Sequence, residues 1–354
     1  HEGPLGVFDG TLSEKSYSDL TEAGKKGINI KPDGSGGWIG LTDKYWMTAL
    51  LPDQNQKYNF TYRKLSSNGG QYQTDFLGNA VTIPPNSKGE FLSRTFAGAK
   101  RLALFDQYEL KFNIQHFDLA IDFGWFYFLT KPFFYALSWA NDYLGNFGLA
   151  ILAITVIVKL LFFPLANKSY KSMAKMRVLT PQIQKLRERV GDDRQKLNQE
   201  MMNLYKKEKV NPAAGCLPIL VQIPVFFALY KVLFVSIEMR QTPFFGWIKD
   251  LSVQDPTSIF NLFGLLPYST SFLPDFLNIG IWPLLMGVTM FLQQRLNPTP
   301  PDPIQAKIFA WMPVAFTFLL ATFPAGLVIY WTWNNLLSIC QQWVIMNKMN
   351  KESK

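Results

Sequence analysis

A lysine, Lys159, lies within an apolar run that extends from Gly145 to Leu165. At 1.5 Å per residue, a helix of about 20 residues matches a hydrocarbon core of roughly 30 Å. A lysine in the middle of such a span costs about 2.5–3.5 kcal/mol, so its ammonium group needs a polar cavity, a partner or the headgroup region. Thr155 stands four residues earlier and shares its helical face. Two interpretations fit: the lysine faces a polar cavity, or its stem extends to nearby headgroups.

Most other polar side chains in the apolar runs are uncharged. They are Gln222, Gln293, Gln294, Thr332, Asn334 and Asn335. The long runs contain no Asp or Glu, and coupled transporters generally need an intramembrane carboxylate or histidine, so the sequence argues against a pump. Hydrogen bonds between packed helices explain the amides equally well. They explain Lys159 less well, because its run offers no acid, and we expect its anion to arrive with a substrate.

The residue types that most covalent and metal chemistry requires are scarce. The chain has two histidines, His1 and His116, and two cysteines, Cys216 and Cys340, both within apolar runs. Neither a zinc or haem site nor a disulfide framework follows from them. No nucleophile–base pair or phosphate-binding loop stands out either. We therefore expect no catalytic residues, no metal site and no cofactor, and a protein that is not an enzyme.

Five apolar runs are the elements that must position Lys159. We predict membrane spans over residues 144–166, 213–235, 277–296, 308–323 and 327–345. The net charge of +9 lies beside them, since residues 166–212 hold 12 Lys and Arg against 5 Asp and Glu. The positive-inside rule places that basic segment in the cytoplasm and explains the charge without nucleic acid. A cytoplasmic turn, 297–306, and a cytoplasmic tail, 346–354, complete a consistent multi-pass topology.

The basic segment, residues 167–211, is predicted to be a cytoplasmic hairpin of two amphipathic helices. Thr180 and Pro181 have the types of an N-cap and a first helical residue, so we predict that a helix begins there. Gly191 marks the turn before the second helix. The charges have two explanations: a solvated face that sets the topology, or a surface for a partner.

The first 116 residues are predicted to be part of an antiparallel β-sandwich in the periplasm. Residues 1–118 balance 13 Lys and Arg with 13 Asp and Glu. Aromatic and β-branched runs between turns predict strands. These runs are Trp38–Leu51, Tyr58–Leu65, Tyr72–Leu77, Ala80–Pro85 and Glu90–Phe105. Because this net-neutral part opens on the outer side, we expect an N-terminal anchor or signal to precede it in the full protein.

Two further segments connect these parts. The aromatic-rich residues 117–143 predict an interfacial amphipathic helix, with a tilted span as the alternative. Residues 236–276 are predicted to be a periplasmic loop. Its stretch Ser258–Phe276 is unusually apolar for such a loop, and we expect it to dip into the membrane interface.

Several motifs resemble the YidC membrane protein insertase family. They are Asn211–Pro218 with its continuation to Tyr230, Asp122–Trp125, the hairpin segment Ser172–Asp193, and Phe323–Trp331. The likeness covers roughly residues 117–348. Residues 1–116 are similar to the end of the periplasmic β-sandwich of Gram-negative members. The resemblance implies an α-helical protein of the bacterial inner membrane, with a five-span bundle, a cytoplasmic helical hairpin and a partial antiparallel β-sandwich.

The resemblance also implies a hydrophilic groove that is open to the cytoplasm and to lipid. The family normally carries one arginine there, and Lys159 takes its position, which keeps the charge but loses the bidentate fork. Tyr330 and Trp331 stand where many members have two tyrosines. The groove residues implied are Lys159, Thr155, Gln222, Tyr330, Trp331 and Asn334. In the hairpin, Tyr170 and Asp192 match positions implicated in activity.

The implied function is that of a membrane protein insertase and folding chaperone, which acts alone or with the Sec translocon. The implied partners are nascent membrane proteins, the Sec translocon, the lipid bilayer, and the ribosome and targeting machinery through the basic hairpin and tail, with no specific nucleic-acid sequence. Two other classes stay open. A small-molecule channel or flippase requires a continuous path across the bilayer. A structural scaffold for the export channel contacts the translocon but not nascent chains.

Overall fold

The computed structural model describes residues 1–65, 70–191, 193–208, 210–211, 217–270, 272–297 and 303–352. The predicted hairpin residue Asp192 lies outside the described residues, as do residues 212–216 of the motif Asn211–Pro218. The chain divides into two compact units. The β unit comprises His1–Trp125 and Val235–Glu238, and the helical unit comprises Phe126–Phe234 and Met239–Lys354.

The described part of the β unit contains two antiparallel sheets. Its strands are β1 (Gly3–Phe8), β2 (Thr11–Glu14), β3 (Ile28–Ile30), β4 (Trp38–Thr42), β5 (Trp46–Pro52), β6 (Tyr58–Lys64), β7 (Tyr72–Gly78) and β8 (Ser93–Ala99). The larger sheet has the order β2-β1-β4-β5-β8, and the smaller one has the order β3-β6-β7. Every pairing in both sheets is antiparallel. Helices α1 (Tyr17–Ala23) and α2 (Leu102–Phe112) accompany them.

Apolar side chains from both sheets share one core. Phe8 on β1 and Ile39 on β4 meet Phe60 and Tyr62 on β6, and all four are buried. The rings of Phe8 and Phe60 lie 4.6 Å apart between centroids. Phe60 and Tyr62 are two residues apart, so the strand period places both on one face. The predicted antiparallel β domain is therefore confirmed.

A helix replaces the second half of the predicted strand Glu90–Phe105. Strand β8 ends at Ala99, and α2 follows it. Leu102 and Phe105 stand one helical turn apart and are both fully buried. The Phe105 ring lies 4.5 Å from that of Phe117 between centroids. The strand prediction was wrong here because the buried positions follow the helical period and not the alternation of a strand.

Two other strand predictions also differ from the structure. The run Trp38–Leu51 forms two strands, β4 and β5, with a turn between them. The run Ala80–Pro85 forms no strand and is exposed. Pro84 and Pro85 lack the backbone N–H that a ladder needs, which explains the absence of pairing there. Strands β1, β2 and β3 were not predicted.

Lys100 gives the β unit a pH-dependent stability. The residue is only 4% exposed, and its Nζ donates a hydrogen bond to Thr42 Oγ1 at 2.9 Å. Burial lowers the pKa of Lys100 to about 8, against the opposing attraction of nearby carboxylates such as that of Asp43. The unfolded chain keeps this proton to about pH 10.5, so it binds more protons than the folded chain between these two values. Stability must therefore rise with pH across that window.

We expect the free energy of unfolding of the β unit to increase by about 1–2 kcal/mol between pH 7.5 and 9.5. Calorimetry of the full chain at several pH values measures this change. The variant Lys100→Met is expected to lose the increase, whereas Lys57→Met, at an exposed position, keeps it. An unchanged pH dependence in Lys100→Met would contradict the assignment.

The described helices of the helical unit are α3 (Tyr127–Leu144), α4 (Phe147–Leu161), α5 (Phe163–Val190), α6 (Arg194–Lys207), α7 (Leu217–Val235), α8 (Ile281–Leu296), α9 (Pro303–Leu320) and α10 (Ala325–Glu352). Judged by length and composition, none of the described helices could cross a membrane by itself. The pair α4 and α5, bent by 67° at their junction, could do so together, and shorter apolar helices cover Leu220–Val235 and Ile304–Leu320.

The apolar run predicted as the span 144–166 is not one straight helix. Helix α4 ends at Leu161, Phe162 leaves the helical path, and α5 begins at Phe163. Pro164 occupies the first turn of α5, where its missing N–H is tolerated but its ring cannot continue the preceding helix. Because α4 ends two residues after Lys159, this lysine lies in the last turn of α4. The bend then turns α5 away from the direction of α4.

The helix start predicted at Thr180 and Pro181 was wrong. Helix α5 is continuous through both residues, and Pro181 lies inside it. The Thr180 hydroxyl donates to Met176 O in its own helix at 3.4 Å and does not cap a new one. Packing of Leu179 and Ile183 against Tyr205 of α6 favours the continuous helix, because tertiary contacts override a weak local preference.

The interfacial helix predicted over 117–143 begins only at Tyr127. Gly124 has a φ of 68°, and its N–H donates to Asp122 Oδ1 at 3.0 Å. This left-handed backbone position interrupts a helix, so residues 117–120 form only a short 3-10 turn that belongs to the β unit.

Helices α8, α9 and α10 pack closely around small and polar residues. Met286, Leu320 and Val328 form a buried cluster, one from each helix. A Cβ on Gly287 would lie 2.1 Å from Thr317 Oγ1, so α8 and α9 touch where glycine removes the side chain. Between α8 and α10, Asn335 Nδ2 donates to Thr289 Oγ1 at 3.3 Å. Asn335 therefore acts as a polar contact between helices.

Candidate functional site

The predicted groove lysine reaches across to helix α10. Lys159 Nζ donates to Ser338 Oγ at 2.7 Å. Ser338 is buried, and its own hydroxyl proton goes to Asn334 O at 2.8 Å. Asn146 positions α4, because its side chain caps the helix by accepting from Leu149 N at 3.0 Å. Ser338 is therefore the residue that accepts the hydrogen bond from the ammonium group of Lys159.

The partner of Lys159 is neutral. Among the described residues, no carboxylate forms an ion pair with Lys159 Nζ within 4.0 Å. A serine hydroxyl can accept a hydrogen bond but cannot neutralise a charge. The charge of Lys159 is therefore not neutralised by a carboxylate of the described residues.

Lys159 lines a cavity between α4, α5, α7 and α10, which we name the lysine cavity. Its polar lining comes from Lys159, Tyr170, Gln222 and Gln341. Its water-accessible volume is about 40 Å³, which is room for more than one water. Gln341 Oε1 is buried and has no hydrogen-bond partner among the described residues. A buried carbonyl oxygen of this kind needs water or a bound group.

A second cavity, the threonine cavity, adjoins the first through Val158, Gln222 and Val225, which line both. Its polar lining comes from Thr155, Gln222, Tyr330 and Asn334. Its water-accessible volume is about 10 Å³, which is close to the minimum for a single water. Polar side chains from three helices, α4, α7 and α10, thus converge at its wall.

The hydrogen bonds in the threonine cavity leave one oxygen unsatisfied. Thr155 Oγ1 donates to Ile151 O in its own helix at 2.6 Å, and Gln222 Nε2 donates to the Tyr330 hydroxyl. Asn334 Oδ1 is buried and accepts no hydrogen bond from the part of the chain that the structure describes. The lining of each cavity therefore includes one buried amide oxygen that has no hydrogen-bond partner among the described residues.

Trp331 does not line either cavity. Its ring packs against Phe226, with 4.8 Å between centroids, and against Phe316, with 6.0 Å. Successive residues on a helix point about 100° apart, so Tyr330 turns toward the cavities while Trp331 turns toward α7 and α9. Of the aromatic pair that the family resemblance implied for the groove, Tyr330 therefore lines a cavity and Trp331 lines neither.

Tyr170, predicted as a hairpin residue, lies at the base of α5 and lines the lysine cavity. Its hydroxyl interacts with Ser338, the same residue that accepts from Lys159. It is buried with Met173 and with Ile345 of α10. Tyr170 therefore belongs with the groove residues in this structure.

Two residues of the site were missed by sequence reasoning. Ser338 and Gln341 were not singled out, although Ser338 is four residues after Asn334 and eight after Tyr330. Positions at this spacing share a helix face. The helical period could therefore have identified Ser338 as a residue on the same face as Asn334 and Tyr330. Its contact with Lys159 could not be predicted from the sequence, because 179 residues separate the two.

The polar side chains that line the two cavities can bind and orient a ligand, but they do not form a catalytic set. Its polar groups are one ammonium, hydroxyls and carboxamides, with no carboxylate or imidazole among the described residues that line the two cavities. Such a set can hold an anionic or polar group by hydrogen bonds and charge. It lacks the acid–base pair that general catalysis requires.

Comparison with known proteins assigns both units. Residues 139–352 match the family described as 60Kd inner membrane protein, and residues 1–136 match the YidC periplasmic domain. A relative from Brucella suis, "Membrane protein insertase YidC", is 57% identical over 98% of this chain and 56% of its own length. Relatives with the same description come from Agrobacterium fabrum, at 55% identity over 98% of this chain and 57% of theirs, and from Rickettsia massiliae, at 56% identity over 99% and 61%.

A solved structure described as "Active YidC insertase crystal structure with the first transmembrane domain resolved" aligns with 96% of this chain and 82% of its own, at 20% identity and a TM-score of 0.49. The chain spans 56% to 61% of the length of the curated relatives given above. The family match covers well over half of the chain, and the periplasmic match covers most of the rest. The chain belongs to the YidC, or 60Kd inner membrane protein, family.

Proposed function

We propose that this protein is a membrane protein insertase and folding chaperone of the bacterial inner membrane, and that the two cavities are part of its hydrophilic groove. The observation that carries the proposal is Lys159, a cation with a neutral partner in a polar cavity. The descriptions of relatives at 55–57% identity support the insertase function. The proposed groove residues are Lys159, Thr155, Gln222, Tyr330 and Asn334, with Ser338 and Gln341 added from the contacts.

The proposal includes five membrane spans, formed by α4, α7, α8, α9 and α10. Exposed apolar side chains on three of these helices support it, such as Phe227 on α7, Val288 on α8 and Trp311 on α9. Exposure of large apolar side chains to water is unfavourable, whereas their exposure to lipid is not. In the same arrangement α3 lies in the interface with Trp139 and Tyr143 exposed.

Insertion would proceed without covalent chemistry. A hydrophobic segment of the nascent chain passes along the lipid-facing side of α7 and α9, while its short polar flank enters the groove. Lys159 attracts acidic residues of that flank, and the wet groove reduces the desolvation cost that blocks crossing. The membrane potential then favours outward movement of an acidic flank by about 2.3 kcal/mol per charge per 100 mV.

The partners follow from charge and position. The basic hairpin formed by α5 and α6 and the basic tail would meet the ribosome and the targeting machinery on the cytoplasmic side. For some substrates, the Sec translocon would cooperate with this protein during insertion. No specific nucleic-acid sequence is needed for this contact, because a basic surface binds phosphates without reading bases.

Site-specific crosslinking to a stalled nascent chain tests the proposal. A photo-crosslinking residue at Gln341 lies in the lysine cavity, and the same residue at the exposed Val288 of α8 is the matched control. We expect crosslinks to the nascent chain from Gln341 and not from Val288. Crosslinks to the translocon alone would favour a scaffold, and ion flux through the purified protein would favour a channel; either result would overturn the proposal.

A further inference from the structure

The loop that precedes α8 contains a long uncharged stretch. Residues 256–274 include no Asp, Glu, Lys or Arg. Several of its large apolar side chains are exposed, most of all Leu265 at 83% and Phe272 at 74%. Exposed apolar groups of this density in one segment mark an interaction surface. We name residues 259–270 and 272–274 the apolar loop.

The backbone of the apolar loop holds its apolar tip outward. Leu262 and Phe263 both have left-handed conformations, with φ of 49° and 60°. Such conformations are uncommon for residues with a side chain and persist only where neighbouring contacts hold them. Phe263 N donates to Ser258 O at 2.7 Å, and Leu266 N donates to Asn261 O at 3.1 Å. The tip is thus a hydrogen-bonded turn.

The base of the apolar loop is fixed to the start of α8. Ile259 N donates to Ile279 O at 2.9 Å, which joins the two ends of the loop. The buried carboxylate of Asp255 accepts from Trp282 N at 3.0 Å and from Trp247 Nε1 at 3.1 Å. An acidic side chain at the first turn of a helix is a favourable electrostatic contact. The loop therefore stands at the N-terminal end of α8.

The same end of the bundle includes the start of α10. Ala325 N donates to Val253 O at 2.7 Å, and Gly326 N donates to Leu251 O at 3.0 Å. The segment just before the apolar loop thus connects the first turns of α8 and α10. The exposed apolar side chains of α8, such as Leu285 and Val288, begin immediately beyond this base.

We propose that the apolar loop inserts into the outer leaflet of the bilayer, at the level of the headgroups and the upper acyl chains, and so anchors the outer ends of α8 and α10. This inference rests on the proposed membrane embedding. Lipid fits as the occupant because the loop directly precedes α8, which has exposed apolar side chains, and supplies Phe and Tyr, which favour the interface. Charged side chains would oppose insertion into lipid; the stretch 256–274 has none, and the exposed Asp275 stands just beyond its end.

Spin labels on the full chain in lipid nanodiscs with one copy each test the proposal. Cys216→Ser and Cys340→Ala remove the native cysteines, and single cysteines are then introduced at Leu265 or Phe272 for labelling. Val288 provides a label on the proposed lipid face of α8, and Lys57 provides one in the β unit. The measured quantity is the ratio of collisions with oxygen, which concentrates in lipid, to collisions with a water-soluble nickel chelate.

We expect the ratio at Leu265 and Phe272 to exceed that at Lys57 severalfold and to approach that at Val288. If the Val288 label is in lipid while both loop labels resemble Lys57, the inference is overturned and membrane embedding stands. If the Val288 label also resembles Lys57, the proposed embedding fails, and the inference fails with it. The use of two loop positions protects the result against a local disturbance by one label.

Discussion

Replacing Lys159 with alanine is expected to reduce the insertion of substrates with acidic flanks by about tenfold to 100-fold. Hydrogen bonds to charged groups contribute about 1.5–3 kcal/mol, and 1.4 kcal/mol corresponds to tenfold. Lys159 is the charged residue among the described residues that line the two cavities, so alanine leaves the acidic flank with hydroxyls and amides alone. Insertion into proteoliposomes of paired substrates, identical except for an acidic or a neutral flank, measures the effect.

Two controls accompany this experiment. Lys159→Arg keeps the charge and is expected to keep most of the activity, because a guanidinium also binds carboxylates. Lys231→Ala removes a lysine of α7 that lines neither cavity, and it should insert both substrates normally. If Lys159→Ala inserts the acidic and neutral substrates as well as the unchanged protein does, the electrostatic part of the mechanism is wrong.

Deletion of Gln182–Lys209, replaced by a short Gly-Ser linker, is expected to abolish insertion while leaving the bundle folded. The deletion removes Ile183 and Tyr205 and so dismantles the small core that holds α5 against α6. It spares Tyr170 in the first turns of α5, and with it the contacts to Ser338 and Ile345. Insertion of a substrate in proteoliposomes measures activity, and circular dichroism with protease protection measures the fold.

A milder change in the hairpin separates its architecture from its individual charges. Arg189 and Glu200 form an exposed ion pair between α5 and α6, and surface pairs contribute about 0–1 kcal/mol. Arg189→Ala should therefore retain nearly full insertion. Full activity of the deletion variant would contradict our assignment and would reduce the hairpin to a topology signal.

The sequence alone was sufficient for features that follow a local period. Alternating aromatic residues predicted strands such as β6, where Phe60 and Tyr62 face the core. The four-residue spacing of Thr155 and Lys159 predicted that both share one face of α4, and both line the joined cavities. The absence of an acid in the run around Lys159 was also readable, and the structure gives Lys159 a neutral partner.

Other features needed the tertiary structure. Thr180 and Pro181 have the residue types of a helix start, yet α5 continues through them because its packing against α6 favours one long helix. The segment after Arg101 contains strand-forming aromatic residues, yet it forms α2 because Leu102 and Phe105 fill the core from one helical face. Local preferences amount to a few tenths of a kcal/mol per residue, and burial of large side chains exceeds them.

The order of the amino acids was enough to classify most segments as strand-rich, amphipathic or apolar, and to identify the polar residues within the apolar runs. It did not show which of these residues contact one another. The tertiary structure placed Ser338 against Lys159, drew Tyr170 into the lysine cavity and turned Trp331 away from it. The physical reason is distance along the chain: helix periodicity is a property of neighbouring residues, whereas a contact across 179 residues depends on how whole helices pack.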